Sequence, residues 1–311
     1  MSFKIGIAQI NPKLGDLDAN LGLYEEKIRL AREDGQQCLV FPELSLTGYF
    51  LRDMVPGVAL QLSSAKIKHL KQLSKGLAFV AGLVEESPDY RFYNSAVYFE
   101  DGEIRQVHRK VYLPTYGMFD EQRYFARGDR VRAFDTKLGR IAMLVCEDLW
   151  HPSTIYLAAL DGALTVVCPS SSPLRGITDG QTQDDNAAYW ELINRSYAKT
   201  FGIYLIYGNR AGFEDGVGFW GGSEVLDPFG NTVAKAKYYE EDMIVGEVSL
   251  ESVRRKRSMA PLLRDEDLDL TINELMRIRE RPRDSRRPAA PAKKRAGAKA
   301  NKPVRKGKRR K

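Results

Sequence analysis

Short apolar runs alternate with longer amphipathic stretches from the N-terminus to about residue 250. Residues 3–10 alternate into an apolar strand, and Cys38-Leu39-Val40-Phe41 is continuous enough for a second, fully buried one. Between them Asp16 or Asp18 can cap a helix running to about Glu33, with Leu21, Tyr24, Ile28 and Leu30 near helical spacing. The pattern then predicts a helix from Ala59 to Leu73 and a strand over 77–84. Strands at 93–99 and 104–109 flank Asp101-Gly102, a dipeptide suited to a tight hairpin. Further buried strands fall at 141–145, 164–167 and 203–207, separated by helices near 153–161 and 184–200. From Phe219 the chain returns to short strands, turns at Asp227-Pro228-Phe229-Gly230-Asn231, and ends this pattern near Glu247. Alternating strands and helices with added hairpins predict an α/β fold. Periodicity does not distinguish one doubly wound sheet from two stacked sheets.

Three of the apolar runs end on residues that carry chemistry. Glu43 closes Cys38-Leu39-Val40-Phe41-Pro42, Lys110 follows Ile104–Arg109, and Cys146 follows Ile141–Val145 and precedes Glu147-Asp148-Leu149-Trp150. Strand ends on one edge of an α/β sheet converge, and ligands bind there. A thiol, a carboxylate and an ammonium meeting at that edge supply a nucleophile, a proton shuttle and an anion stabiliser. Glu43 can take the thiol proton, return it to a departing amine and later activate water. Lys110, with the backbone N–H after Cys146, can hold a tetrahedral oxyanion, and a neighbouring ammonium favours the thiolate. The blander readings are core packing for the cysteine, a turn cap for the glutamate and a solvated strand end for the lysine. Core packing is the expectation for Cys38 and Cys168. Of the histidines His69, His108 and His151, His108 sits two residues from Lys110 on the same strand face and is a rival base.

The stretches Phe41-Pro42-Glu43-Leu44-Ser45-Leu46-Thr47-Gly48-Tyr49, Arg109-Lys110-Val111-Tyr112-Leu113-Pro114 and Cys146-Glu147-Asp148-Leu149-Trp150 resemble the nitrilase, or carbon–nitrogen hydrolase, superfamily. Within it, Tyr116-Gly117-Met118-Phe119-Asp120-Glu121-Gln122-Arg123-Tyr124-Phe125 and Ser170-Ser171-Ser172-Pro173 are most similar to the glutaminase domain of glutamine-dependent NAD synthetases. The resemblance covers roughly residues 1–250 and implies a four-layer αββα sandwich with a Glu43–Lys110–Cys146 triad. It implies further that Glu121 orients the lysine and substrate, the plainer alternative being a surface pair with Arg123. Tyr49 and Tyr116 match aromatic positions of the substrate pocket. Glu147 and Ser172 match positions that contact the substrate's amino and carboxylate groups. The arginine expected after the Ser-Pro pair is not cleanly aligned, and Arg175 is the nearest candidate for a carboxylate partner. No metal or cofactor is implied. The implied reaction is hydrolysis of glutamine or a related ω-amide, with ammonia passed to a separate NAD synthetase. Another small amide, an N-carbamoyl amino acid or a nitrile is the alternative substrate class, and a noncatalytic interaction subunit is a third reading. A homodimer or larger homo-oligomer is a family-level expectation. No Ser-Gly-Gly-type ATP-pyrophosphatase loop occurs, and Gly216-Val217-Gly218-Phe219-Trp220-Gly221-Gly222 precedes a strand instead of a helix. The chain by itself is therefore not expected to make NAD.

Composition changes the picture in one respect. The net charge of +7 is unevenly spread, because residues 281–311 hold 15 Lys and Arg against the single acid Asp284, leaving 33 basic and 40 acidic residues elsewhere. An acidic globule over residues 1–250, a charged helical extension over 251–280 and a disordered basic tail over 281–311 are expected. Without interleaved aromatics the tail suits nonspecific polyanion contact or none at all. Three cysteines make no disulfide framework, the first residues read directly as a strand, and no apolar run is long enough to cross a membrane. A cytoplasmic protein is the expectation.

Overall fold

Strands that are apolar on both faces must be covered on both, and two stacked sheets between helices do so here. The computed structural model describes residues 2–174 and 185–281. In chain order the strands are β1 (Ser2–Gln9), β2 (Cys38–Val40), β3 (Ala78–Glu86), β4 (Phe92–Glu100), β5 (Glu103–Arg109), β6 (Ala133–Thr136) and β7 (Gly139–Met143). They continue with β8 (Thr165–Ser170), β9 (Tyr204–Asn209), β10 (Ala211–Glu214), β11 (Val217–Trp220), β12 (Glu224–Leu226), β13 (Thr232–Lys235) and β14 (Asp242–Ser249). The helices are α1 (Leu17–Glu33), α2 (Val55–Val58), α3 (Ala65–Leu73), α4 (Glu121–Tyr124), α5 (Pro152–Leu160), α6 (Asp185–Phe201), α7 (Leu250–Met259) and α8 (Leu268–Glu280).

Among the described residues, one six-stranded sheet runs β14-β1-β2-β3-β4-β5 and another β13-β12-β9-β8-β7-β6, with β10 and β11 pairing separately. Side chains alternate across the first sheet. Ile5, Ile7, Val40, Val80 and Tyr98 enter a core shared with Met143, Val145, Val166, Cys168 and Ile206 of the second sheet region. Leu39, Phe41, Phe79, Ala81, Val97 and Phe99 point the other way, onto Tyr24 and Ile28 of α1 and Ile67 and Leu70 of α3. Ile155 of α5 and Trp190 of α6 cover the second sheet. The chain is thus an αββα sandwich, the architecture that the motif resemblance implied and that periodicity left open.

The direction of pairing places the site. Strands β1, β2 and β3 are parallel, and β3, β4 and β5 are successively antiparallel, so β5 runs the same way as β2. Strands β7, β8 and β9 are parallel to one another. The carboxyl ends of β2 and β5 therefore share an edge, as do those of β7 and β8. The Ser171 N–H donates to Glu43 Oε2 at 2.8 Å, so the two edges meet.

Local signals behave as their chemistry dictates. Asp16, not Asp18, caps α1, accepting the Ala19 N–H at 3.0 Å. Asp101 and Gly102 both have positive φ, at 52° and 81°, as a two-residue hairpin turn requires. The helix expected from Ala59 starts later, at Ala65. Leu60 instead exchanges backbone hydrogen bonds with Val84 and Glu86, and Ser64 caps α3. The stretch after residue 250 forms two helices parted at Ala260-Pro261, where proline removes a donor.

One compact unit spans Met1–Asp265 and includes α7, whose Val253 is buried. A second, Glu266–Lys311, is described through α8, capped by Asp267 accepting the Leu270 N–H at 2.9 Å. The disordered basic tail expected over 281–311 lies, beyond Arg281, outside the described residues. Among the described residues no helix is long and apolar enough to cross a membrane.

Gly82 on β3 lets the Glu43 segment pass. A Cβ there would lie 2.2 Å from the Pro42 carbonyl oxygen and 2.5 Å from the Leu44 nitrogen. Gly82→Ala is expected to lower unfolding free energy by about 1–3 kcal/mol, read by urea denaturation. Gly57→Ala, in α2 with nothing within 4 Å of the added carbon, is expected to change it by less than about 0.5 kcal/mol.

Candidate active site

Glu43 is 1% exposed and fixed on every side. Its Oε1 accepts from Lys110 Nζ at 2.7 Å and from Asn94 Nδ2 at 2.8 Å, while Ser171 Oγ donates to its backbone carbonyl at 2.8 Å. The turn that carries it is tied down behind, where Ser45 Oγ donates to the Pro42 carbonyl at 2.6 Å and pairs with the Tyr24 hydroxyl at 2.7 Å.

Lys110 follows β5 and is 1% exposed. Its ammonium bridges two carboxylates, donating to Glu43 Oε1 and to Glu121 Oε1 at 2.7 Å each. Burial alone would push the lysine down, but the charges of Glu121 and Glu43 outweigh it and hold the group well above its ordinary value. Glu121 opens α4 and also accepts the Tyr49 hydroxyl at 2.5 Å. Loss of hydration pushes its carboxyl up to about 7 against the pull of Lys110, and the negative charge of Glu43 adds to the rise. One buried ammonium faces two buried carboxylates, and Glu121 is correspondingly easier to protonate than a free carboxyl. Burial also rules out the surface pairing with Arg123 that the sequence left open.

Cys146 sits in the left-handed region at φ +45°, a conformation that costs a non-glycine residue about 1–2 kcal/mol. The next residues form a single 3-10 turn over Cys146–Trp150, and the carboxylate of Asp148 holds that turn to the lysine strand. Asp148 accepts the N–H groups of Val145 at 3.0 Å and of Val111 and Tyr112 at 2.9 Å, and pairs with His108 Nε2 at 2.8 Å. It is fully buried. His108, the rival base, is turned to Asp148 and away from that role. Burial pushes the Cys146 thiol well up and Glu43 adds to the rise, while Lys110 and a hydrogen bond from Ser170 oppose it. The resting sulfur therefore keeps its proton until a base removes it, which departs from the thiolate that an adjacent lysine suggested.

The sulfur lies in a narrow cleft bordered by Tyr116, Phe119, Glu147, Trp150, Ser172 and Trp190. The Tyr116 hydroxyl meets both oxygens of Glu147, at 3.0 and 2.9 Å, and so aims that carboxylate along the wall. Ser172 Oγ accepts from Trp190 Nε1 at 2.8 Å and Asn186 Nδ2 at 2.9 Å. Tyr49 borders a separate cavity of about 240 Å³ that reaches Glu121, with Phe119 forming the wall between the two spaces. Arg175 lies outside the described residues. Cys38 and Cys168 are buried free thiols, as packing residues would be. Among the described residues no cluster of three His, Cys, Asp or Glu side chains is placed to hold a metal ion.

The structure thus gathers Glu43, Lys110 and Glu121 directly and sets Cys146, Glu147, Tyr116 and Ser172 around one cleft. Sequence reading missed Asn94, Asp148, Ser170 and Ser171 as parts of the site. The Ser-Ser-Ser-Pro run marked the segment but not which atoms it contributes.

Two stacked sheets whose strand ends bring these groups together define a nitrilase-type α/β sandwich. The chain belongs to the carbon-nitrogen hydrolase family, whose pattern it matches over residues 4–258. It is 30% identical over 258 residues to the glutamine-dependent NAD(+) synthetase of Acinetobacter baylyi, covering 82% of this chain and 46% of that protein. The chain spans about half the length of the curated relatives it matches. The crystal structure of a carbon-nitrogen hydrolase from Helicobacter pylori G27 superposes with a TM-score of 0.80 at 27% identity, covering 88% of this chain and 99% of that one. A single-site mutant of the amidase of Nesterenkonia sp. AN1 superposes with a TM-score of 0.71 at 25% identity, covering 87% of this chain and 96% of that one. In that structure the acetamide moiety of fluoroacetamide is covalently added at the active-site cysteine.

The Glu121 carboxyl gives a pH signature whose sign is fixed. Its proton is held to about 7 in the folded chain against 4.5 ordinarily, so the folded state binds the extra proton between those values. Stability from this group is greatest below pH 4.5 and falls as pH rises towards 7, with a slope of about 1.4 kcal/mol per pH unit. Glu121→Gln is expected to remove that slope, measured by urea denaturation across pH 5 to 8.

Proposed function

We propose that this chain hydrolyses the carbon–nitrogen bond of a small amide, glutamine or a related ω-amide first, through a thioester on Cys146. The observation that carries this reading is the buried Lys110 ammonium, shared by Glu43 and Glu121 beside the cysteine. Glu43 takes the proton from Cys146 Sγ as the sulfur adds to the amide carbon. The oxyanion that forms is held by Lys110 Nζ and the backbone N–H of Glu147, where one such donor is worth ~3 kcal/mol. Collapse breaks the C–N bond, Glu43 passes its proton to the nitrogen, and ammonia leaves. Glu43 then deprotonates water, the hydroxide adds to the thioester, and the carboxylic acid departs as the thiol is restored. Glu121 keeps Lys110 in place.

Glutamine is favoured by the similarity to glutamine-dependent NAD(+) synthetases and by the Glu147 carboxylate at the cleft, suited to a substrate ammonium. Ser172 is assigned to the substrate's polar end. Ammonia release to a separate NAD synthetase is proposed with it, from the similarity to those relatives. Hydrolysis of another small amide is the second reading, favoured by the narrowness of the cleft and the likeness to an amidase. A homo-oligomer in a reducing cytoplasm is proposed with it, the latter consistent with three buried free thiols.

Cys146→Ala is expected to reduce ammonia release by at least about a thousandfold without altering the unfolding midpoint. Intact-mass analysis during turnover of the parent should find an acyl adduct on Cys146. Ammonia from a simple aliphatic amide but none from glutamine would move the assignment to the second reading.

A further inference from the structure

Trp190 Nε1 and the Asn186 side-chain nitrogen can only donate, and both give a proton to Ser172 Oγ, at 2.8 and 2.9 Å. That fills the two acceptor positions of the Ser172 hydroxyl and leaves its own proton to give away. The Tyr207 hydroxyl on β9 is near enough for Ser172 to act on its ionisation, opposing the rise that burial causes. Tyr207 Oη donates in turn to Ser170 Oγ at 3.3 Å, and Ser170 Oγ donates to Cys146 Sγ at 3.2 Å. These two bonds run the same way, and both protons point at the sulfur.

Ser170 and Tyr207 are fully buried, and Ser172 and Trp190 nearly so. In such surroundings consecutive hydrogen bonds polarise one another, and a donor to an anion counts for more than in water. The need for one at the sulfur is evident from the charges around it. Glu43, Tyr49, Cys168 and Tyr207 act on Cys146 as anionic or neutral groups, and Lys110 acts as a cation. The lysine's hydrogen bonds are already directed at two carboxylates.

We propose that Ser170 is a catalytic residue that donates to the Cys146 sulfur and stabilises its anion, and that Tyr207 is a positioning residue that aims the Ser170 proton. This rests on the thioester reading above and extends it. Ser172, whose proton is left to give, borders the same cleft as Cys146. The step balances simply: Glu43 removes the thiol proton, and Ser170 keeps its own proton while sharing it with the thiolate until the sulfur forms its bond to carbon.

The test needs no substrate. Rates of iodoacetamide alkylation at Cys146 are measured against pH, with the adduct located by peptide mass mapping. Ser170→Ala is expected to raise the midpoint of that profile by about one pH unit and to slow alkylation about tenfold below it. Tyr207→Phe should move the midpoint the same way by a smaller amount. With glutamine, Ser170→Ala should lower kcat about tenfold while KM stays within about twofold. The two changes lie on different strands, so misfolding of one variant leaves the other to decide. An unchanged midpoint in either folded variant overturns the proposal. A parent that alkylates normally at Cys146 yet releases no ammonia from any amide overturns the proposed function instead, and a parent inert at Cys146 overturns both.

Discussion

A single ammonium, out of reach of water, organises the catalytic edge of this protein. Lys110 is enclosed by Glu43 and Glu121, and the three come from the end of one strand, the turn after another and the first residue of a short helix. An isolated ion at that depth would cost several kcal/mol, so these elements are committed to one another. Removing the lysine leaves two carboxylates facing each other without a cation between them. The same enclosure raises both the Glu121 carboxyl and the Lys110 ammonium above their ordinary values.

A second buried acid does for the chain what the lysine does for the charges. Asp148 gathers amides from both sides of the site, Val145 just before the nucleophile and Val111 and Tyr112 just after the lysine. The strained backbone at Cys146 persists because the segment on each side is pinned. The linkage between the two sheets is completed by Ser171, whose N–H and hydroxyl both close on Glu43. Position and electrostatics are thus handled by different groups, Asp148 and Ser171 for the first, Lys110 and Glu121 for the second.

The parts of this arrangement that could be read in the sequence are those expressed as local contrast. Glu43, Lys110 and Cys146 each interrupt an apolar run, and a polar group at a strand end is visible without any fold. Asp101-Gly102 and Asp16 were legible for the same reason, since turns and caps are decided by neighbours a few residues away. Asp148 and Ser170 were not, because their partners lie on other strands and depend on pairings such as β7 with β8 and β8 with β9. The misplaced start of α3 has a tertiary cause too: Leu60 joins β3 as an extended residue, and helical spacing in 59–64 does not reveal that. Two stacked sheets and one wound sheet share the same period, so only the motif resemblance separated them beforehand.

The donors that hold Glu43 Oε2 and Asp148 Oδ1 are main-chain amides, from Ser171, Val111 and Tyr112. Such contacts survive replacement of the residue that makes them, provided the path of the backbone is unchanged. Alanine scanning at 111 and 112 would therefore pass over the groups that fix the site, and at 171 would register the lost hydroxyl alone. Swapping the amide for an ester linkage, which deletes one donor and leaves the side chain intact, is the perturbation that would expose them.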